Sequence, residues 1–226
     1  MKVAQQLLLL GALFVSAGCS TLPRGEPVPT DMADQVVERY KNRLPPHFEV
    51  MHAVVITIKP HWWWPAISQV TIGCSTVDRA TRSYEVTCFS PLGMKLFNIS
   101  RTNDLISGTL LLPGTDRHEL MVQAIGTAIS RAYLDMSPGP GATAVRQDGV
   151  MIMTRFSGNH RTDYTFSGTN AVLSSKEYFD GRKRIMTVSY SDYRTETNGL
   201  FPGRMSLKDH RNGYNLLFLL KEFKAL

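Results

Sequence analysis

The sequence predicts a mainly β protein of the α+β class. The expected architecture is an antiparallel curved sheet, or half-open barrel, of about eleven strands with helices covering an apolar interior. Three observations lead there. Period-two alternation of apolar residues recurs from Phe48 to the C-terminus. Turn signals punctuate it: Asn103-Asp104, Gly158-Asn159, Gly168-Thr169-Asn170, Asp180-Gly181, Asn198-Gly199 and Asn212-Gly213. Helical spacing marks one segment before the strands and one inserted among them. The 226 residues are 43% hydrophobic, enough for one domain with a sizeable core, and 19% charged, too few for a disordered chain. The net charge of +6 is scattered, apart from Arg182-Lys183-Arg184. With no basic stripe and no stacking platform, nucleic acid is not an expected partner.

Lys2 and the apolar run Leu7–Val15 have the pattern of a secretory signal, too short to span a bilayer. Residues 1–18 are read as this signal peptide. It ends in Ser16-Ala17-Gly18-Cys19, which resembles a bacterial lipobox with Cys19 as the lipidated residue. The usual leucine three places before the cysteine is absent, and an ordinary small-residue cleavage site after Val15-Ser16-Ala17 is the alternative. Several acyl chains on one residue anchor stably, each buried CH₂ contributing ~0.8 kcal/mol. Ser20 follows Cys19; by resemblance to enterobacterial sorting, that implies delivery to the outer membrane. Residues 19–29, rich in Pro and Gly, read as a lipidated tether, and residues 30–226 as a single domain.

Thr30 reads as the N-cap of an amphipathic helix with Met32, Val36, Val37, Tyr40 and Leu44 on its apolar stripe, stopped by Pro45-Pro46. From Phe48 to Ile58 the period is two, with His52 on the apolar side, the ordinary place of a satisfied core histidine. The following tip is His61-Trp62-Trp63-Trp64-Pro65. The next strand, Ala66–Thr76, has Cys74 on one face with Val70 and Ile72; the strand after it has Cys88 with Tyr84 and Val86. In an oxidising compartment Cys74 and Cys88 form a disulfide if the register pairs them; otherwise they are two buried thiols one pairing apart. A second helix opens at Thr115-Asp116 and has a wide apolar face from Leu120 to Tyr133, ended by Ser137-Pro138-Gly139-Pro140-Gly141. The last strand, Leu216–Leu220, is apolar on both faces, as for a strand between the core and a covering helix.

Between two of the strands stands Ser90-Pro91-Leu92-Gly93, a reversing turn with a leucine where a solvent-facing tip ordinarily has Asn, Asp or Ser. Together with Ser83–Ser100 around it and with Val188–Tyr193, Phe201–Leu207 and the closing apolar strand, this tip resembles the outer-membrane lipoprotein receptor of the bacterial lipoprotein-sorting (Lol) pathway. Ser90 stands where that family often has Asn. Tyr214 after Asn212-Gly213 also resembles a family of short bacterial lipoproteins that accompany exporters and lipid-linked biosynthetic clusters. The resemblance implies a LolA/LolB-like fold and a cavity for the acyl chains of a lipoprotein or lipid cargo. It also implies a monomer anchored in the outer-membrane bilayer on its periplasmic side, with a periplasmic carrier as handover partner. By topology, Trp62, Trp63 and Trp64 and the tip Pro91, Leu92 and Gly93 are expected to share one membrane- or cargo-facing mouth. Whether the interior is an open cavity or a filled core is not decided by composition.

No Gly-x-Ser-x-Gly, HExxH, phosphate loop or CxxC is present, and the six histidines do not fall at metal-ligand spacing. No catalytic, cofactor-binding or metal-binding residue is expected. An enzyme is not expected; a structural envelope protein or an unrecognised hydrolase is the alternative of another class. If Cys19 is the lipidated residue, Cys19→Ala leaves the protein soluble in the periplasm; a variant that stays with the outer-membrane fraction after a salt wash refutes the anchor.

Overall fold

A computed structural model describes residues 22–58, 66–111, 118–196 and 199–226. The strands are β1 (Glu26–Pro27), β2 (His47–Ile58), β3 (Ile67–Asp78), β4 (Ser83–Phe89), β5 (Lys95–Thr102), β6 (Leu105–Leu110), β7 (Thr143–Gln147), β8 (Val150–Ser157), β9 (His160–Ser167), β10 (Val172–Asp180), β11 (Lys183–Glu196), β12 (Gly199–Asp209) and β13 (Tyr214–Ala225). The helices are α1 (Thr30–Lys41) and α2 (His118–Tyr133). All thirteen strands join one antiparallel sheet in the order β1-β7-β8-β9-β10-β11-β12-β13-β2-β3-β4-β5-β6. The last strand pairs with the first long one, so β13 against β2 joins the two halves of the chain. The sheet does not close, and its edges are β1 and β6.

The two strands beyond the sequence reading are both short. Glu26 and Pro27 pair with Arg146 and Val145 of β7, and the Val28 amide donates to the Ala144 carbonyl at 3.0 Å. The sheet therefore begins inside the segment read as a tether, and ordered structure starts ahead of residue 30. Both strands flank Pro/Gly-rich sequence, where pairing supplied by a distant segment overrides local composition. Thr30 is the first helical residue and not the cap, since Pro29 holds the N-cap position without a side-chain bond.

Side chains alternate as a half-buried sheet requires. Phe48, Val50, His52 and Val54 point inward from β2, Tyr84, Val86 and Cys88 from β4, and Met186, Val188 and Tyr190 from β11. Helix α1 buries Ala33, Val37 and Tyr40, while Met32, read as part of the stripe, is exposed. Helix α2 buries Val122, Gly126, Ala128, Ile129, Ser130, Ala132 and Tyr133. Leu120 and Ala124, read as part of its apolar face, are exposed, because the helix is sunk most deeply in its second half.

That second half is locked into the core. A helix leaves its last four carbonyls without intrahelical partners. Here the Ser130 carbonyl accepts from the Leu134 amide at 2.9 Å. The Arg131 carbonyl accepts from Lys176 Nζ, the Ala132 carbonyl from Tyr190 Oη at 2.9 Å, and the Tyr133 carbonyl from Arg79 Nε at 3.2 Å. Lys176 Nζ also donates to the Asp135 carbonyl at 2.8 Å. Two basic side chains at the negative end of the helix dipole are favourably placed as well as bonded.

Close approach of α2 to the sheet depends on Gly126. A Cβ there would stand 2.4 Å from Ile106 Cγ2 and 2.9 Å from the Tyr84 hydroxyl, which donates to the Gly126 carbonyl at 2.7 Å. Gly126→Ala is expected to cost about 1–3 kcal/mol through overpacking. Denaturant unfolding checks this, and an unchanged midpoint contradicts the seating of α2 described here.

Candidate membrane- and cargo-facing end

The β2–β3, β4–β5, β8–β9, β10–β11 and β12–β13 connections all leave one end of the sheet, as the antiparallel registers dictate. At this end the β4–β5 turn is built as a three-residue loop. The Gly93 amide donates to the Ser90 carbonyl at 2.9 Å, and the Ser90 amide to the Met94 carbonyl at 2.8 Å. Gly93 has φ +79°, the left-handed conformation that closes such a loop. The Ser90 side chain is buried, and its hydroxyl accepts from the Met94 amide at 3.2 Å. Leu92 is thus held out on a rigid turn, 87% exposed, with Met94 beside it at 62%. Pro91, Leu92 and Gly93 are all exposed. Trp62, Trp63 and Trp64, and the lipidation candidate Cys19, lie outside the described residues.

The inner face near this end remains open to solvent in part. Ile56 pairs with Leu216 and Ile58 with Tyr214 across β2 and β13. These side chains and Phe97 of β5 are only partly covered, with Ile58 45% exposed. Deeper, the face is filled. Phe48, Phe201, Phe223, Tyr133 and His52 form one aromatic cluster, with Phe48 and Phe201 centroids 5.1 Å apart. Toward β7–β12 the filling includes Met136, Met151, Met153, Met186 and Met205, all buried. The first half of α2 is more loosely seated than the second: His118, Glu119, Leu120, Gln123 and Ala124 are exposed. Two side-chain bonds hold it to the β6 edge, His118 Nε2 accepting from the Leu110 amide at 2.9 Å and Gln123 donating to the Ile106 carbonyl at 3.0 Å. They also satisfy edge groups that would otherwise be free for another chain.

A groove of about 680 Å³ lies elsewhere, on the outer face of β3–β6. Thr76, Glu85, Asn98, Ser100 and Thr109 line it, so it is polar and does not suit an acyl chain. At the end opposite the Leu92 tip, Asp78 accepts from the Ala80 and Thr81 amides at 2.8 and 3.0 Å. These bonds hold its carboxyl below the ordinary range. Arg79 of that turn does not face solvent. It reaches inward to the α2 terminus and lies over the Phe48 ring at 5.0 Å.

The Cys74–Cys88 disulfide is not formed. Both thiols are free; Cys88 pairs with Gly73, and Cys74 with Thr87. One step of register puts the two side chains on opposite faces, Cys88 buried and Cys74 exposed, beyond the reach of a bridge. The alternative of two buried thiols holds for Cys88 only. The apolar outer side of β13 is also not covered by either described helix. Lys176 was not singled out in the sequence. It is fully buried between the Tyr178 and Tyr190 rings, and burial pulls its amine down to about 7.

No family model matches this chain, and no curated protein does. Among solved structures it is similar to a LolA superfamily protein from Nitrosomonas europaea, with a TM-score of 0.53 at 11% identity, covering 86% of this chain and 93% of that one. It is also similar to a DUF1329 family protein from Desulfovibrio piger ATCC 29098, with a TM-score of 0.52 at 9% identity, covering 88% and 93%. At such identities the likeness is one of fold. The chain has the LolA-like fold that the hairpin tip and closing strands resemble.

His52 makes the core pH-sensitive. Burial lowers its pKa from 6.5 to about 4; Nδ1 meets the Tyr133 hydroxyl at 3.1 Å, and Nε2 has no partner among the described residues. The folded state binds this proton less readily than the unfolded chain. The stability contributed is therefore complete above pH 6.5 and is lost as pH falls toward 4, by about 3 kcal/mol over the window. His52→Gln is expected to flatten the dependence of unfolding free energy on pH between 6.5 and 4. An unchanged slope places the titration elsewhere.

Proposed function

We propose that this protein is an outer-membrane-anchored periplasmic lipoprotein. It takes acyl chains of lipoproteins or lipids onto the inner face of its sheet and helps place them in the outer membrane. The observation that carries this reading is the partly covered apolar inner face at Ile56, Ile58, Tyr214, Leu216 and Phe97, opening beside the exposed Leu92. Burying a methylene contributes about 0.8 kcal/mol, so an acyl chain gains affinity by lying along such a surface. Deeper entry requires repacking, and the buried methionines supply side chains that rearrange at low cost. The loosely seated first half of α2 is the part able to lift, while its locked second half holds position. The work is transfer without covalent chemistry, so no catalytic residue is called for. Leu92, together with Trp62, Trp63 and Trp64 of the neighbouring connection, is the proposed membrane or cargo contact.

Titration with a fluorescent C16 fatty acid, displaced by palmitate, tests the slot. Saturable binding by the parent that Ile56→Glu weakens at least about tenfold supports it; no saturable uptake by the folded parent sinks it. Leu92→Glu is expected to leave stability within about 0.5 kcal/mol and fatty-acid binding intact while slowing transfer to liposomes. A large loss of stability would return that leucine to the core.

A further inference from the structure

The outer face of the same strands is apolar as well. Leu217 and Leu219 of β13 pair with Val55 and Ala53 of β2, which pair in turn with Val70 and Ile72 of β3. Phe89 of β4 stands opposite Ile72. The intervening Phe218, Val54 and Thr71 point inward and are buried, so this set points outward. None of its members belongs to the core, and Val70 and Ile72 are 52% and 40% exposed. Outer faces of antiparallel sheets are ordinarily polar. This sheet obeys the rule on either side of the patch, with Thr76, Glu85 and Ser100 toward β5 and Ser189, Ser191 and Ser206 on β11–β12.

We infer that this patch is a docking surface for an anionic lipid bilayer, against which the domain lies on the outer face of β13, β2, β3 and β4. The charges around it fit that occupant. Exposed Arg204 extends the row at Leu219, exposed Lys95 extends it at Phe89, and exposed Lys208, opposite Asn215, stands two rows nearer the turn-rich end. Of the acidic neighbours, Glu222 pairs with Met51 in the row next to the patch and Glu49 stands one row further, both on the side away from that end. A polar row of Asn215, Thr57 and Ser68 separates the patch from the strand ends, so contact is face-on and not by end-on insertion.

Size excludes the main competitor. Four strands at about 4.8 Å spacing and two or three residue rows give roughly 300–400 Å². A stable interface between two copies needs about 800 Å² from each. A bilayer places no such demand once a lipid anchor holds the domain beside it, because tethering raises the effective concentration to about millimolar. In this the inference rests on the anchored-carrier reading.

The described residues share one sheet and core, so residues 19–226 with Cys19→Ala are the unit to test. Exposed Cys74 lies opposite Met51 next to the patch while Cys88 is buried, so an environment-sensitive dye attaches at Cys74 without further mutation. With phosphatidylcholine–phosphatidylglycerol vesicles at millimolar lipid, matching the effective concentration that the anchor supplies, the expected result is a blue shift and co-flotation, weakened by salt, and a parent that shows neither overturns the inference. The double variant Val70→Glu, Ile72→Glu is expected to lower the partition coefficient at least about tenfold. Val70→Thr, Ile72→Thr keeps β-branched residues should the glutamates impair folding, and is expected to weaken partition in the same direction. Partition unchanged in the folded variants overturns the inference. So does a parent that dimerises in sedimentation equilibrium through a contact the variants abolish, with vesicle binding unaltered. Fatty-acid binding, measured alongside, is expected to survive in the patch variants; its absence from the parent would sink the carrier reading while leaving the vesicle result standing.

Discussion

The buried C-terminus of α2 is the constraint on which the remaining structure depends. Four backbone carbonyls carried into an apolar interior would each cost about 1–3 kcal/mol if left unpaired. Their partners come from far apart in sequence: Lys176 on β10, Tyr190 on β11 and Arg79 on the β3–β4 turn, with the Leu134 amide closing the last turn. The helix end therefore fixes the two halves of the sheet relative to each other from inside, as β13 against β2 does along the hydrogen-bond ladder. It also explains a fully buried lysine. Its amine faces two tyrosine rings and has carbonyl acceptors and a helix dipole in place of water.

With one end of α2 fixed, the helix is unequal along its length. Its second half is held by charged side chains and by the Gly126 contact; its first half lies over the β6 edge on two neutral side-chain bonds. Local opening is drawn from segments with few buried apolar contacts. That places any motion at the same end as Leu92 and the partly covered residues Ile56, Ile58 and Leu216.

The two faces of β13, β2 and β3 differ in their surroundings. Inward residues of β13 and β2 at the turn-rich end are apolar and partly covered, with Gln69 of β3 opposite Ile56, an arrangement suited to a chain-shaped apolar guest with a polar border. Outward residues of the same strands are apolar and bordered by Arg204, Lys95 and Lys208, suited to a surface with apolar depth and negative headgroups. Where the sheet turns polar outside, on β3–β6, its groove is lined by hydroxyls, an amide and carboxylates. Face chemistry, more than fold, thus separates the three surfaces.

Much of this was legible in the residues themselves. Period-two alternation marked β2 and β4, and the Pro-Leu-Gly tip was recognisable because proline and glycine restrict the backbone locally, whatever lies around it. The apolar character of both sides of Leu216–Leu220 was also plain in the order of residues. What alternation does not contain is register. A shift of one residue moves every side chain to the other face, which is why Cys74 and Cys88 read as partners and stand on opposite sides of the sheet. Nor does it contain what covers a face, so the outer leucines of β13 read as helix-covered and are bare of both described helices. The short strands β1 and β7 exist only through each other and β8. The inward roles of Lys176 and Arg79 exist only because α2 ends where it does. Local sequence determined which segments are strands, since side-chain spacing acts within a few residues; the tertiary structure alone decided which faces meet, since that depends on pairing between residues far apart in the chain.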